Sequence, residues 1–237
     1  MHDALYKAAK LPVSSSEQLL FDHYYNRLVS ENEKYNLTAI TDEKDVHIKH
    51  FIDSMLIKVF FDTYKIETKQ KRLIDIGTGA GFPAIPIKIL YPEIEVTGLD
   101  SLKKRIAFLE MLKEDLTLKD IQFIHGRAED YGRDTLYRET YDFAVSRAVA
   151  ELRMLLEYVM PFVKVGGYFV AYKSLKYAEE LENAENALKQ MKTRYIETIR
   201  IVLPENSGER ELMIFQKMEN IQKKYPRKAG MPKKNPL

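Results

Sequence analysis

Leu73-Ile-Asp-Ile-Gly-Thr-Gly-Ala-Gly-Phe-Pro83 sets a short apolar strand before a turn in which three glycines alternate with small residues, then a proline suited to open a helix. Glycine lets main chain approach a ligand closely, because no Cβ intervenes and positive φ costs little. A dinucleotide-binding turn spaces its glycines G-x-G-x-x-G. Here Gly77, Gly79 and Gly81 fall at every second position, with Asp75 two residues ahead of the first. A glycine-rich turn without a ligand is the alternative, and the surrounding pattern weighs against it.

Strand and helix signals alternate downstream. Strand 73–76 leads to a helix over 84–90, 96–99 to 102–116, 121–124 to a short helix or turn near Glu129, 141–145 to 152–163, and 168–172 to 177–191. Tyr177, Leu181, Ala184, Leu188 and Met191 line one face of the last helix. Strands separated by helices predict a parallel sheet covered on both sides. The end departs from this rule. Runs 195–203 and 212–218 are joined by Pro204-Glu-Asn-Ser-Gly208 with no helix between, which predicts an antiparallel hairpin. The expected fold class is α/β, a mostly parallel seven-stranded sheet ending in an antiparallel hairpin, with an N-terminal helical extension. With its Asp-x-Gly-x-Gly-x-Gly turn it resembles the Rossmann-like class I S-adenosylmethionine-dependent methyltransferases. That resemblance implies S-adenosyl-L-methionine as cofactor and S-adenosyl-L-homocysteine as product.

Ser14-Ser-Ser-Glu17 is a capping box ahead of Leu20, Tyr24 and Leu28, spaced as on one helix face. A second helical stretch follows Thr41, with Ile48, Phe51, Ile52, Met55, Leu56 and Val59 as its apolar stripe. The expected division is 1–70 as helical extension, 71–218 as methyltransferase domain and 219–237 as basic tail. Hydrophobic residues at 45% and charged residues at 30% fit a soluble globular chain. There is no cysteine, which excludes disulfides, thiolate-bound zinc and a thiol nucleophile. No apolar run approaches the ~20 residues of a membrane span, and the start lacks a signal-peptide pattern. A cytoplasmic protein with no membrane partner is expected.

Charge is unevenly placed. Lys223, Lys224, Arg227, Lys228, Lys233 and Lys234 have no acid among them; without these six the formal charge of +2 becomes −4. Such a segment, with prolines that keep it extended and a tyrosine that can stack, suits nucleic-acid phosphate. A solvated, solubilising end is the competing account.

Ligands of doubly wound sheets sit beyond the carboxyl ends of the strands, where strand order reverses. Three strand ends supply suitable chemistry. Gly77, Gly79, Gly81 and Phe82 follow the first. Asp100 ends the second, where its carboxylate suits ribose hydroxyls or, alternatively, caps the next helix. The third runs into His125-Gly-Arg-Ala-Glu-Asp130, where the Ala128 N–H and Glu129 or Asp130 suit an adenine edge; an exposed charged turn is the alternative.

The acceptor is constrained by what is missing. After the fourth strand stands Ser146-Arg147-Ala148-Val149, with no Asn/Asp-Pro-Pro-aromatic turn for exocyclic amines. Carbon-5 methylation of pyrimidines needs the absent cysteine. A lysine-centred tetrad for ribose hydroxyls would have to press Asp75 and Lys173 into service. An acceptor with its own lone pair, such as guanine N7, needs no proton removed, so positioning and desolvation suffice.

Six stretches together resemble one family, the bacterial small-subunit ribosomal RNA guanine-N7 methyltransferases, also called glucose-inhibited division protein B. They are Tyr35-Asn-Leu-Thr-Ala-Ile40, Lys49-His-Phe-Ile-Asp-Ser54, Asp75–Pro83, Arg127-Ala-Glu129, Ser146-Arg147-Ala148 and Tyr225-Pro-Arg-Lys-Ala-Gly230. Lys49 stands where arginine is usual, keeping the charge without the bidentate fork. The resemblance implies cofactor contacts at Gly77, Phe82, Ala128, Glu129 and Arg147. It also implies a guanine in the decoding-region loop of 16S ribosomal RNA, free or in the small subunit, as acceptor. Asp75, Gly79, Gly81 and Asp100 join the cofactor set from strand position. Arg147, Lys173, His50 and Asp53 are positioning candidates without an assigned catalytic role. Arg147 otherwise caps the next helix, and Lys173 snorkels from a strand end. His50 falls opposite the apolar stripe, as on a solvated face. No metal site is expected, because His47, His50 and Asp53 spread around their helix.

Overall fold

Alternation along β1 (Arg72–Ile76) sends Leu73 to one face of the sheet and Ile74 and Ile76 to the other, and a separate apolar cluster receives each. The computed structural model describes residues 2–147, 149–173 and 177–237. Before β1 lie α1 (Asp3–Ala8), α2 (Ser15–Tyr35), α3 (Glu43–Val46), a π-helical segment (His47–Ile52), α4 (Asp53–Met55) and α5 (Ile57–Thr63). After it come α6 (Ala84–Leu90), β2 (Glu95–Asp100), α7 (Lys103–Asp115), β3 (Ile121–His125), α8 (Ala128–Tyr131), β4 (Tyr141–Arg147) and α9 (Leu152–Val159). The chain ends with β5 (Val163–Lys173), α10 (Tyr177–Glu182), α11 (Glu185–Gln190), β6 (Thr193–Val202), β7 (Glu209–Lys217) and α12 (Met231–Lys234).

The sheet order is β3-β2-β1-β4-β5-β7-β6. Strands β1 to β5 pair in parallel, while β7 slots antiparallel between β5 and β6. The expected hairpin is therefore present, and its second strand is the one that joins the sheet. Strand order reverses between β1 and β4, so a crevice opens beyond their carboxyl ends.

The first helices are part of the same core. Phe21, Tyr24, Leu28, Phe51, Phe60 and Phe61 share one cluster with Leu73, Phe108 and Val145. The Ser14–Glu17 capping box forms as expected. Tyr24 and Leu28 are buried, with Phe21 rather than Leu20 completing the face. The second stripe departs further. A π turn holds one residue more than an α turn, so residues beyond it are rotated around the axis. Phe60 is fully buried where the periodicity predicts Val59, and Asp53 and Ser54 turn inward. The expected single helix over 177–191 is two, because the chain breaks between Glu182 and Glu185. Ala184, Ala187 and Met191 are the buried positions there. The strand expected at 168 begins at Val163, which pairs with Tyr141 across a register shift.

The C-terminal tail is not extended. Ile221, Tyr225 and Pro226 are buried. The Arg227 guanidinium lies against the fully buried carboxylate of Glu157, 2.6 Å at the closest. The charge-rich composition conceals this docking.

Tyr24 ties the first helices to the glycine turn. Its hydroxyl donates to the Ala80 carbonyl at 2.5 Å, and both residues are buried. Tyr24→Phe leaves that acceptor unmet, so denaturant unfolding should show a loss of about 1–3 kcal/mol. A change within error would mean the turn is held by packing alone.

Candidate functional site

A cavity of about 570 Å³ opens at the reversal of strand order, the size of a site for a small molecule or cofactor. Its floor is the turn after β1, including Gly77, Thr78, Gly79 and Phe82. Gly79 has φ of +61°, and a Cβ there would meet no atom closer than 3.9 Å, so the turn presents open main chain to the cavity. Its N–H donates to Asp100 Oδ2 at 2.9 Å. Leu102 N–H and Arg105 also hold the Asp100 carboxylate, so Asp100 both anchors the turn and steadies the start of α7. Of the two accounts expected for Asp100, the one at the start of the next helix is seen in the Leu102 contact, and the carboxylate also lines the cavity.

Gly81 does not line the cavity. A Cβ there would lie 2.7 Å from the Tyr24 hydroxyl and 2.9 Å from Leu109, so it is glycine to admit the helices behind it. Asp75 is also outside the wall and wholly buried, with Oδ2 accepting from Ala84 N–H at 3.1 Å. Burial pushes its carboxyl up to about 7. Strand position predicts cofactor contact at both; instead they shape the turn from beneath.

At one end the wall is Gly126, Arg127, Ala128, Glu129 and Tyr158. Glu129 is 6% exposed, and its Oε1 accepts from the Gly230 N–H of the tail at 2.9 Å. Asp130, the other acid considered, is exposed and not in the wall.

At the other end stand Leu37, Thr38, His50, Arg147 and Val149. The Arg147 guanidinium donates to Asp53 Oδ2 at 2.8 Å and to the Lys49 carbonyl at 3.2 Å, and lies over the Phe82 ring at 5.0 Å. Its other amino group is 3.3 Å from His50 Nδ1. Arg210 Nε approaches Asp53 Oδ1 at 3.1 Å, so the carboxylate sits between two arginines. The His50 ring stacks on Phe82 at 4.5 Å and its Nε2 meets Thr38 Oγ1 at 2.8 Å. Arg147 can only donate, so Nδ1 accepts and Nε2 carries the hydrogen. Burial, then Arg147, lowers the His50 pKa to about 4. This is no solvated face: the π turn aims His50 into the crevice.

Other expected residues lie elsewhere. Lys173 is absent from the wall, its ammonium held by Glu180 at 2.6 Å and the Ala150 carbonyl at 2.8 Å. A tetrad with Asp75 is therefore not assembled. Ala148 lies outside the described residues. His47, His50 and Asp53 do not converge: His47 turns instead to Tyr6, at 2.8 Å, and to a group with His2 and Glu43. The ligand atoms of His2, Glu43 and His47 lie within 4.8 Å of one another, and the His2 and His47 rings are stacked at 4.0 Å. Lys223, Lys224, Lys228, Lys233 and Lys234 are exposed, whereas Arg227 is committed to Glu157. Thr38, Arg105, Tyr158 and Arg210 join the site without a sequence signal that singles them out. Thr38 stands inside a stretch that carries the resemblance, and only that placement hints at it.

The family profile described as "GidB: rRNA small subunit methyltransferase G" matches residues 17–212. The chain belongs to this family. A relative from Staphylococcus epidermidis named "Ribosomal RNA small subunit methyltransferase G" is 48% identical, over 96% of this chain and 93% of its own. A relative of the same name from a Thermoanaerobacter strain is 49% identical, over 92% and 89%. Among solved structures, a putative S-adenosyl-L-methionine-dependent methyltransferase from Methanococcus maripaludis aligns at a TM-score of 0.55 with 16% identity, over 83% of this chain and 93% of that one. M. jannaschii TYW2 in complex with AdoMet aligns at 0.51 and 16%, over 70% and 76%. These two share the fold. The family thus makes the protein an rRNA methyltransferase.

An NMR titration should find the His50 ring neutral down to about pH 4. An unfolded histidine binds its proton near 6.5. The unfolded chain therefore holds more protons between those values, and acidification through that window destabilises the native state. Normal titration near 6.5 would place His50 in solvent.

Proposed function

We propose that the protein transfers the methyl group of S-adenosyl-L-methionine to N7 of a guanine in the decoding-region loop of 16S ribosomal RNA. The cavity's donors and acceptors fit that cofactor. Open main chain at Gly79 accommodates close approach, the Asp100 carboxylate reaches the wall between the two ends, and Glu129 offers an acceptor for an amino group. When bound, the cofactor supplies an electrophilic methyl on a sulfonium. The chain's own residues bind, orient and exclude water.

The observation that supports guanine N7 is the absence of a free base. Among the described residues, the titratable groups of the wall are His50, Asp100, Glu129, Tyr158 and three arginines. His50 is a poor proton acceptor near neutrality, with a pKa of about 4. Asp100 is engaged at both oxygens by main-chain N–H groups, and Glu129 at one, its other oxygen being the acceptor offered to the cofactor's amino group. Tyr158 is shifted further from ionisation by burial and by its acidic neighbours. A nitrogen that attacks with its own lone pair asks for none of these as a base.

RNA would meet the cavity across cations at the surface: exposed Lys103 and Lys104 at the start of α7, exposed Arg127 in the wall, and the tail lysines. The exposed lysines form the electrostatic part of the contact, while Arg227 belongs to the fold.

Incubation with labelled cofactor and 16S RNA or assembled small subunits, followed by chemical cleavage at N7-methylated purines, should map one guanine. Label on a ribose hydroxyl or an exocyclic amine would overturn the reading. Gly79→Ala, which forces a positive φ costing roughly 1–2 kcal/mol and adds a methyl group facing the cavity, should weaken cofactor binding with little effect on RNA affinity. Replacing the five exposed tail lysines by alanine should reduce the salt slope of RNA binding by about 0.7–0.9 for each phosphate left without its cation.

A further inference from the structure

We propose that the C-terminal segment 225–230 is a positioning strap that sets Glu129 for the adenine of the cofactor, making tail docking and cofactor binding mutually dependent. The proposal rests on the cavity being the S-adenosylmethionine site and goes beyond it, by giving a cofactor role to residues that line no part of the cavity.

Each of the segment's first three residues is fastened. The Arg138 guanidinium donates to the Tyr225 carbonyl at 2.7 Å, and Arg133 Nε donates to the Pro226 carbonyl at 2.7 Å. Arg227 forks onto Glu157, Nε to Oε1 at 2.9 Å and an amino group to Oε2 at 2.6 Å, while its main-chain N–H also reaches Oε1 at 2.8 Å. Glu157 is wholly buried and precedes Tyr158, a wall residue. Such a bidentate, charge-assisted contact fixes orientation as well as adding strength.

Between the fastenings and the cavity stands α8. Pro226 packs on its end, since a Cβ at Gly132 would lie 3.1 Å from the proline ring. Gly230 then delivers its N–H to Glu129 Oε1. Glu129 Oε2 makes no hydrogen bond among the described residues. One oxygen is thus held by the strap, and its partner is left to accept from an amino group in the cavity. Without the strap, the side chain regains rotamers and solvent that a ligand would then have to displace. Coupling of this kind is reciprocal: if docking favours cofactor, cofactor favours docking.

The test uses the full-length protein and S-adenosyl-L-homocysteine as probe. By calorimetry, Arg227→Ala should raise its Kd about tenfold, the worth of a charged hydrogen bond, and Arg227→Lys should recover part of the affinity. In turnover with small subunits, KM for S-adenosyl-L-methionine should rise while kcat at saturation holds. Hydrogen exchange on the unmodified protein supplies the second measurement and depends on no variant folding: adding the probe should slow exchange across 225–230. A folded Arg227→Ala protein with unchanged Kd would overturn the strap, as would exchange indifferent to the probe. Failure of the unmodified protein to bind the probe would instead strike the cofactor assignment itself.

Discussion

The guanidinium of Arg147 cannot give up its proton, so placing it mostly out of water obliges the fold to surround it with acceptors. Those acceptors come from far away in sequence. Asp53 and the Lys49 carbonyl belong to the helices ahead of the sheet, whereas Arg147 ends β4. Breaking one side would strand a charge, which is why such pairs are costly to sever even when their net worth is small. The result is a fixed angle between the N-terminal helices and the switch point of the sheet. The His50 ring and the Arg147 guanidinium touch each other and both lie against Phe82, on which Tyr24 also stacks at 5.2 Å. The cavity has a wall on that side because these contacts are satisfied together.

Most of the fold is legible because it depends on periods that sequence displays. Alternation of strands and helices predicts the sheet, and the missing helix between the last two strands predicts the hairpin. The π turn is not legible. A helix written with one extra residue per turn keeps an ordinary-looking apolar stripe, and only its continuation reveals the shift. That one residue separates a solvated His50 from one aimed into the crevice. The same holds for Gly81 and Asp75: their spacing within the turn is visible, but which side of the main chain holds the ligand is set by Tyr24 and Ala84, which pack from other elements. The tail hides its docking for a different reason, since six cations outweigh Ile221, Tyr225 and Pro226. A quieter signal lies on α9, where Glu157 is an acid among Leu155, Leu156 and Val159. A buried acid requires a partner, and a cation has to come from somewhere.

Opposed titrations run through the fold. His50, and His47 with its pKa lowered to about 3 by burial, resist protonation that the unfolded chain would accept below about 6.5. Asp75, raised to about 7, does the reverse: native protein holds a proton there that the unfolded chain releases near the ordinary value of 3.8. Stability therefore gains from the histidines and declines from Asp75 as pH rises through the overlapping window. Partial cancellation follows, so the slope for any one group emerges only when that group is replaced.

Methyl transfer to a ring nitrogen moves a positive charge from sulfur to purine without creating a new one. Charge is most spread out at the midpoint, and a weakly solvating pocket favours that spread relative to a concentrated sulfonium in water. The wall fits this demand: Leu37, Ile76, Phe82 and Leu99 supply apolar surface, while the polar groups beside them are largely engaged with one another. An oxyanion hole would have nothing to stabilise, and a general base nothing to remove. What such an enzyme must supply is distance and angle. The cavity has fixed groups at both ends, Glu129 held by the Gly230 N–H and Arg147 by Asp53, and fixed walls are what that demand calls for.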